Sequence, residues 1–211
     1  IRDDEQITGW LEGVVARHGR LDVLVNNVGG SPGSDFGSAS VRFDRKILDL
    51  NFTTAMVAMA AAYPLMAAQA EGGTVVNITS VSAIRPSPGT AVYGAAKAAL
   101  ENLTMSLGVE WAPKIRVNAV RAGLVLTENA KEYYGEGDET VDMAATIARG
   151  QFASPADIGN VVLFVASPLA AHMYGATVPV DGGGEWPVFL YHSPIPDGVP
   201  RPNQPWKDRL R

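Results

Sequence analysis

The sequence predicts a doubly wound α/β fold around a parallel sheet, and three observations carry that reading. Short apolar runs alternate with helical patterns of ten or more residues, which implies parallel pairing through right-handed crossovers. Three of the runs end in polar or glycine-rich residues, at Asn26-Asn27-Val28-Gly29, Thr79-Ser80 and Ala122-Gly123. With 46% hydrophobic and 18% charged residues over 211 positions, the chain is apolar enough for one large core. In sheets of this class ligands bind beyond the carboxyl ends of the strands, so the three ends are expected to share one cleft.

The elements follow in order. "IRDDEQITGWLEGVVARHG" is a loop and then an amphipathic helix, with Ile7, Trp10, Leu11, Val14 and Val15 at helical spacing. Asp3 or Asp4 caps it and Gly19 stops it. "LDVLVNNVGG" has contiguous apolar residues and reads as a strand buried on both faces. A loop with Pro32 precedes a long helical stretch over about 43–69. "GGTVVNITSVSA" is a second strand, entered from a Gly-Gly turn. Residues 93–111 form a second long helix, ended near Pro113. "KIRVNAVRAG" is a third strand. Residues 127–153 are polar and acidic with short helical patches. "SPADIGNVVLFVAS" starts a helix with Ser154 as cap and Pro155 at the first position. "GATVPVDGGG" is a fourth strand. Residues 186–211 hold six prolines among 26 positions and read as an extended arm rather than a domain.

Composition narrows the function. A net charge of -5 without a basic block speaks against nucleic acid and anionic membranes as partners. The lack of cysteine removes disulfide and thiolate chemistry. The most apolar run, "TTAMVAMAAAYPLMAA", is short for a bilayer and contains Pro64, and no signal peptide is visible, so a cytoplasmic location is expected. His18, His172 and His192 have no partners at metal-ligand spacing, so no metal site is expected. The Asn-X-Thr sequons at Asn51, Asn77 and Asn102 fall in core elements and read as chance matches.

The chemistry centres on "YGAAK". Tyr93 and Lys97 stand four apart and so share a helix face. A free tyrosine titrates near about 10, and lowering that by about 3 units needs about 4 kcal/mol favouring the phenolate. A unit charge about 4 Å away in an effective dielectric of about 20 supplies that amount. Ser80 lies thirteen residues earlier, at the carboxyl end of a buried strand, where its hydroxyl can donate to a substrate oxygen held against the phenol. Ser82, further into the loop, reads as a pocket or structural residue.

"NNVG" (26–29), "NITSVSA" (77–83), "YGAAK" (93–97), "RVNAVRAGLVLT" (116–127) and "VDGG" (180–183) resemble, in order and spacing, the short-chain dehydrogenase/reductase family. The resemblance covers about residues 5–185. It implies a Rossmann-like, three-layer α/β/α domain over 1–185, with 127–153 as a substrate lid. It also implies NAD or NADP as cofactor and a carbonyl or secondary-alcohol substrate. Ser80 would polarise the carbonyl, Tyr93 exchange the proton, and Lys97 acidify the tyrosine while binding the nicotinamide ribose. Asn51 would kink its helix and hold a water of the proton relay. Asn27, Val28 and Gly29 would face the cofactor near its adenine ribose, and in the segment beginning at Gly123, Val125 and Thr127 would meet the carboxamide. Ala122 stands where the family has proline, and Val28 where it has alanine.

The family's leading strand and glycine-rich phosphate turn have no counterpart here, so the sequence is expected to be an incomplete copy of a longer protein, and NAD cannot be told from NADP. The helices at 52–69 and 93–111 are apolar or alanine-rich around much of their circumference, which suggests a homodimer or homotetramer. The alternative to an oxidoreductase is a cofactor-free scaffold that dimerises through those helices.

Overall fold

The computed structural model describes residues 4–128, 134 and 138–187. Asp3, the lid acids Glu132 and Glu136, and the arm from 188 onward lie outside the described residues. The chain divides into two compact units, one of residues 1–121 and 160–179, the other of 122–159 and 180–211.

The first unit carries the sheet. Its strands are β1 (Val23–Asn26), β2 (Gly73–Ser80), β3 (Ile115–Ala122) and β4 (Thr177–Val180), in the spatial order β1-β2-β3-β4. β1 and β2 run parallel, with Val23 opposite Thr74 and Asn26 opposite Asn77. The helices that flank the sheet are α1 (Asp4–His18), α2 (Val41–Leu48), α3 (Thr54–Ala67) and α4 (Ala91–Glu110). One face is closed by Leu11 of α1, Met59 and Met66 of α3 and Leu100 of α4, packed on Val75, Ile115 and Val117. Gly19, at φ 79°, ends α1 as its position in the sequence suggests.

On the opposite face Arg116 does the closing. It alternates with Ile115 and Val117 and so projects to the other side of β3. Its guanidinium donates to the carbonyls of Val165 (2.9 Å), Ala170 (3.1 Å), Ala166 (3.2 Å) and Ser167 (3.3 Å), and to Thr74 Oγ1 (3.0 Å). Val165 and Ala166 end a helix over Pro155–Ala166, where the last carbonyls have no N–H four residues on to take them, and Ser167 and Ala170 follow it directly. In the second unit a helix spans Asp138–Thr146; we number it α5 and the Pro155–Ala166 helix α6. The predicted start of α6 is a reciprocal cap. Asp157 Oδ2 accepts from Ser154 N and Oγ at 2.7 Å, and Asp157 N donates to Ser154 Oγ at 3.2 Å. Those bonds hold the Asp157 carboxyl below its ordinary pKa.

One expectation is corrected. β1 is buried on one face only: Leu24 is 5% exposed, whereas Val23 and Val25 are 41% and 42% exposed. Among the described residues its one strand neighbour is β2. The helical stretch Val41–Ala67 is 27 residues long and, by length and composition only, enough to cross a bilayer. Ala58, Met59, Ala62 and Met66 bury its inner face in the core, so it is a core element of this fold.

Two glycines test this packing with one substitution. A methyl group on Gly108 of α4 would lie 2.2 Å from the backbone nitrogen of Gly175, whereas one on Gly9 of α1 meets nothing within 4 Å. Gly108→Ala is expected to lose about 1–3 kcal/mol by overpacking. Gly9→Ala is expected to gain about 0.5–1 kcal/mol from helix propensity. Urea unfolding of both variants checks the opposite signs.

Candidate active site

The site is built where α4, the end of β2 and the loop after β1 meet. Lys97 is 4% exposed. Its Nζ donates to the carbonyl of Ile78 at 2.9 Å, two residues before Ser80 on β2. The same Nζ stands 5.8 Å from the centroid of the Tyr93 ring. Burial pushes the Lys97 ammonium down from its ordinary 10.5 to about 8. The helix spacing seen in the sequence therefore does bring Tyr93 and Lys97 together.

Asn51 is the second fixed point. Between α2 and α3 the helix widens to a π-type turn over Asp49–Thr53, with Thr54 N bonding to the carbonyl of Asp49. Asn51 sits in that turn at 1% exposure. Its Nδ2 donates to the carbonyls of Ile47 (2.9 Å) and Gly30 (2.8 Å), and its Oδ1 accepts from Gly30 N (2.8 Å). The amide thus holds the loop after β1 by both backbone groups of one residue. Gly29 lies between the two polar side chains. A methyl group there would stand 2.6 Å from Asn51 Oδ1 and 2.9 Å from Lys97 Nζ. Asn27, Val28 and Gly29 are exposed at the carboxyl end of β1. A groove of about 330 Å³ passes over Asn27, Val28 and Val25, between Trp10 of α1 and Ala55 of α3.

Ser80 is 9% exposed at the last position of β2, and its Oγ accepts from Ser82 N at 3.2 Å. Ser82 in turn takes a bond from Ser87 Oγ at 3.1 Å. The turn carrying Ser82 abuts α4 beside the tyrosine: a methyl group on Gly94 would be 2.8 Å from the Ser82 carbonyl.

Gly123, Val125 and Thr127 belong to the second unit. Gly123 N bonds to Val180 O at 3.0 Å, and a methyl group on Gly123 would be 2.7 Å from Asp181 Cα. Val125 pairs with Ala153, and Thr127, exposed, donates its backbone N–H to Val125 O at 3.1 Å. In the same unit the Tyr134 and Phe152 rings stack at 5.1 Å, so these two aromatics pack against each other.

The sequence reading missed one polar group in this region. Glu101, one turn beyond Lys97 on α4, is 7% exposed and bonded to Thr79 and Arg121. The signal was a charged residue at i+8 from Tyr93 and i+4 from Lys97, on a helix stripe that otherwise faces the sheet.

Comparisons with known proteins place the chain among dehydrogenases and reductases. A family model described as enoyl-(acyl carrier protein) reductase matches residues 1–185. An oxidoreductase of Mycobacterium tuberculosis (strain CDC 1551 / Oshkosh) is 36% identical over 196 residues, which is 91% of this chain and 73% of the relative. The 3alpha-hydroxysteroid dehydrogenase of Mediterraneibacter gnavus is 35% identical over 185 residues, 86% of this chain and 72% of that protein. Among solved structures, ElxO with NADP bound superposes with a TM-score of 0.80 at 28% identity, covering 86% of this chain and 74% of that one.

The lowered Lys97 pKa has a defined stability signature. Between pH 8 and 10.5 the folded chain has shed the Lys97 proton while the unfolded chain still holds it. Stability owed to this group therefore rises with pH across that window, by at most about 1.4 kcal/mol per unit. Below it, the buried charge is a constant cost. The unfolding free energy of the parent minus that of Lys97→Met, measured in urea from pH 7 to 10.5, is expected to climb through the window; parallel curves would contradict the burial.

Proposed function

The chain belongs to the short-chain dehydrogenase/reductase family and is an NAD- or NADP-dependent oxidoreductase, and we propose that it interconverts a ketone and a secondary alcohol with Tyr93 as the proton carrier. The observation that carries the proposal is the buried Lys97 ammonium, set 5.8 Å from the Tyr93 ring and tied to the strand that bears Ser80.

The residues present fit a nicotinamide cofactor. An ammonium has three N–H donors. Lys97 gives one to Ile78 O, which leaves two for a pair of ribose hydroxyls. Gly29 keeps open the space beside that ammonium, and Asn27 and Val28 border the groove. When bound, the cofactor supplies or accepts the hydride.

The chain's own residues do the rest. Ser80 Oγ donates a hydrogen bond to the carbonyl oxygen and holds it in place. Tyr93 Oη gives that oxygen a proton in reduction and takes it back in oxidation. The Lys97 charge favours the phenolate and so eases both directions. Asn51 keeps the loop at Gly30 where Gly29 can sit against Lys97, and this rigidity supports a proton path toward solvent. The exposed Met56 and Tyr63 of α3, with Met105 and Val109 of α4, give the apolar surface for a homodimer or homotetramer, and the enzyme acts in the cytoplasm on this reading.

The test is Tyr93→Phe. Ketone reduction, followed by loss of reduced-nicotinamide absorbance with a panel of cyclohexanone, a 3-ketosteroid and an open-chain 2-ketone, is expected to fall by about 10²–10⁴-fold. Binding of NADH or NADPH, read by energy transfer from tryptophan, is expected to persist. Undiminished turnover in Tyr93→Phe would refute the proton role, and a parent that bound neither nucleotide would refute the oxidoreductase reading in favour of the scaffold.

A further inference from the structure

Glu101 is a buried acid that the proposed chemistry does not use. Its Oε1 accepts from Thr79 Oγ1 at 2.7 Å and from Arg121 Nε at 2.8 Å, while Arg121 Nη2 pairs with its Oε2. The three residues sit on three elements: Glu101 on α4, Thr79 on β2 next to Ser80, and Arg121 on β3. A hydrophobic trio of similar volume would hold these elements together at least as well, because burying charges costs nearly as much as pairing them returns. What an ion pair adds is direction. A fork of donors on a carboxylate fixes an angle and a distance, where apolar contacts tolerate sliding.

The direction matters here because of what shares the stripe. Tyr93, Lys97 and Glu101 recur every four residues on α4, so Glu101 lies about 6 Å along the axis from Lys97 and about 12 Å from Tyr93. Ser80 follows Thr79 directly on β2. Any slide or roll of α4 against β2 would change the separation of Tyr93 and Ser80 together. A misplacement of about 1 Å at a reacting centre can cost on the order of 10²-fold in rate.

We propose that Glu101, clamped by Thr79 and Arg121, is a positioning residue that sets the register of α4 on β2 and thereby aims Tyr93 and Lys97 at the oxygen held by Ser80. The proposal rests on the oxidoreductase reading above. Glu101 touches neither substrate nor cofactor in it; it acts through the helix.

The test uses the full chain, with the ketone of the panel that the parent reduces fastest. Glu101→Gln is expected to lower kcat at least tenfold while KM for that ketone stays within about twofold, since aim and not affinity is lost. The double variant Glu101→Met/Arg121→Met supplies the readout that separates positioning from support. It is expected to restore the parental thermal midpoint yet keep kcat at least tenfold down. If kcat returns to within twofold of the parent along with the midpoint, the pair is mere support and the proposal is overturned. Should the double variant fail to fold, Thr79→Val decides: a drop of at least threefold in kcat at unchanged KM supports the clamp, and parental kcat overturns it. Tyr93→Phe, assayed alongside, keeps the two readings apart. An inactive Tyr93→Phe beside a fully active Glu101→Gln removes only the positioning role. A parent that reduces none of the ketones, or an active Tyr93→Phe, removes the functional reading and this inference with it.

Discussion

A positive charge held out of water is the constraint on which this structure turns. A desolvated ammonium is unfavourable unless its donors are met. At Lys97 the response takes three forms. The Ile78 carbonyl takes one N–H, the Tyr93 ring lies within the distance at which an aromatic face attracts a cation, and burial shifts the group toward neutrality. Gly29 completes the arrangement by contributing no side chain at all, since even one carbon would press on both Lys97 and Asn51.

The widened turn at Asp49–Thr53 answers a related need. In an unbroken α-helix each carbonyl is taken by the N–H four residues on, and a buried Asn would compete with the backbone for partners. Set in this widened turn, the Asn51 amide donates to the Ile47 carbonyl and keeps its remaining donor and its acceptor for Gly30. A π-type turn inside a helix marks functional positions often enough to be informative. Here its effect is concrete: it anchors the loop that places Gly29 against Lys97.

Much of this was legible beforehand, for physical reasons that can be named. The Tyr93–Lys97 pairing followed from helix periodicity and the start of α6 from Ser154 and Pro155, whereas the π-type turn that holds Asn51 has no signal in helix periodicity. The single-sided burial of β1 was not legible, because contiguous Val and Leu say that both faces could be covered and not whether a neighbouring strand exists. Glu101 escaped because a lone acid on a helix is usually solvated, and its partners come from β2 and β3, 22 and 20 residues away in sequence. Arg116 was hidden in the same way: a cation within an apolar strand says nothing of the helix end it closes until the other face of the sheet is built.

That the start of α4 meets the end of β2 follows from chain direction. A parallel crossover obliges the helix after β2 to run back against it. The contacts show this in sequence: Asn77 meets Thr104 and Thr79 meets Glu101, so two steps up the strand correspond to three steps down the helix. Two strand residues span about 6.6 Å and three helical residues about 4.5 Å. Continued past Thr79, the match carries the first turns of α4 over the carboxyl end of β2. That is where Lys97 bonds to Ile78 O and where Gly94 touches the turn of Ser82. Topology therefore brings the start of α4, which bears Tyr93, and the end of β2, which bears Ser80, to the same end of the sheet, and the side chains along the helix need only keep that placement from slipping.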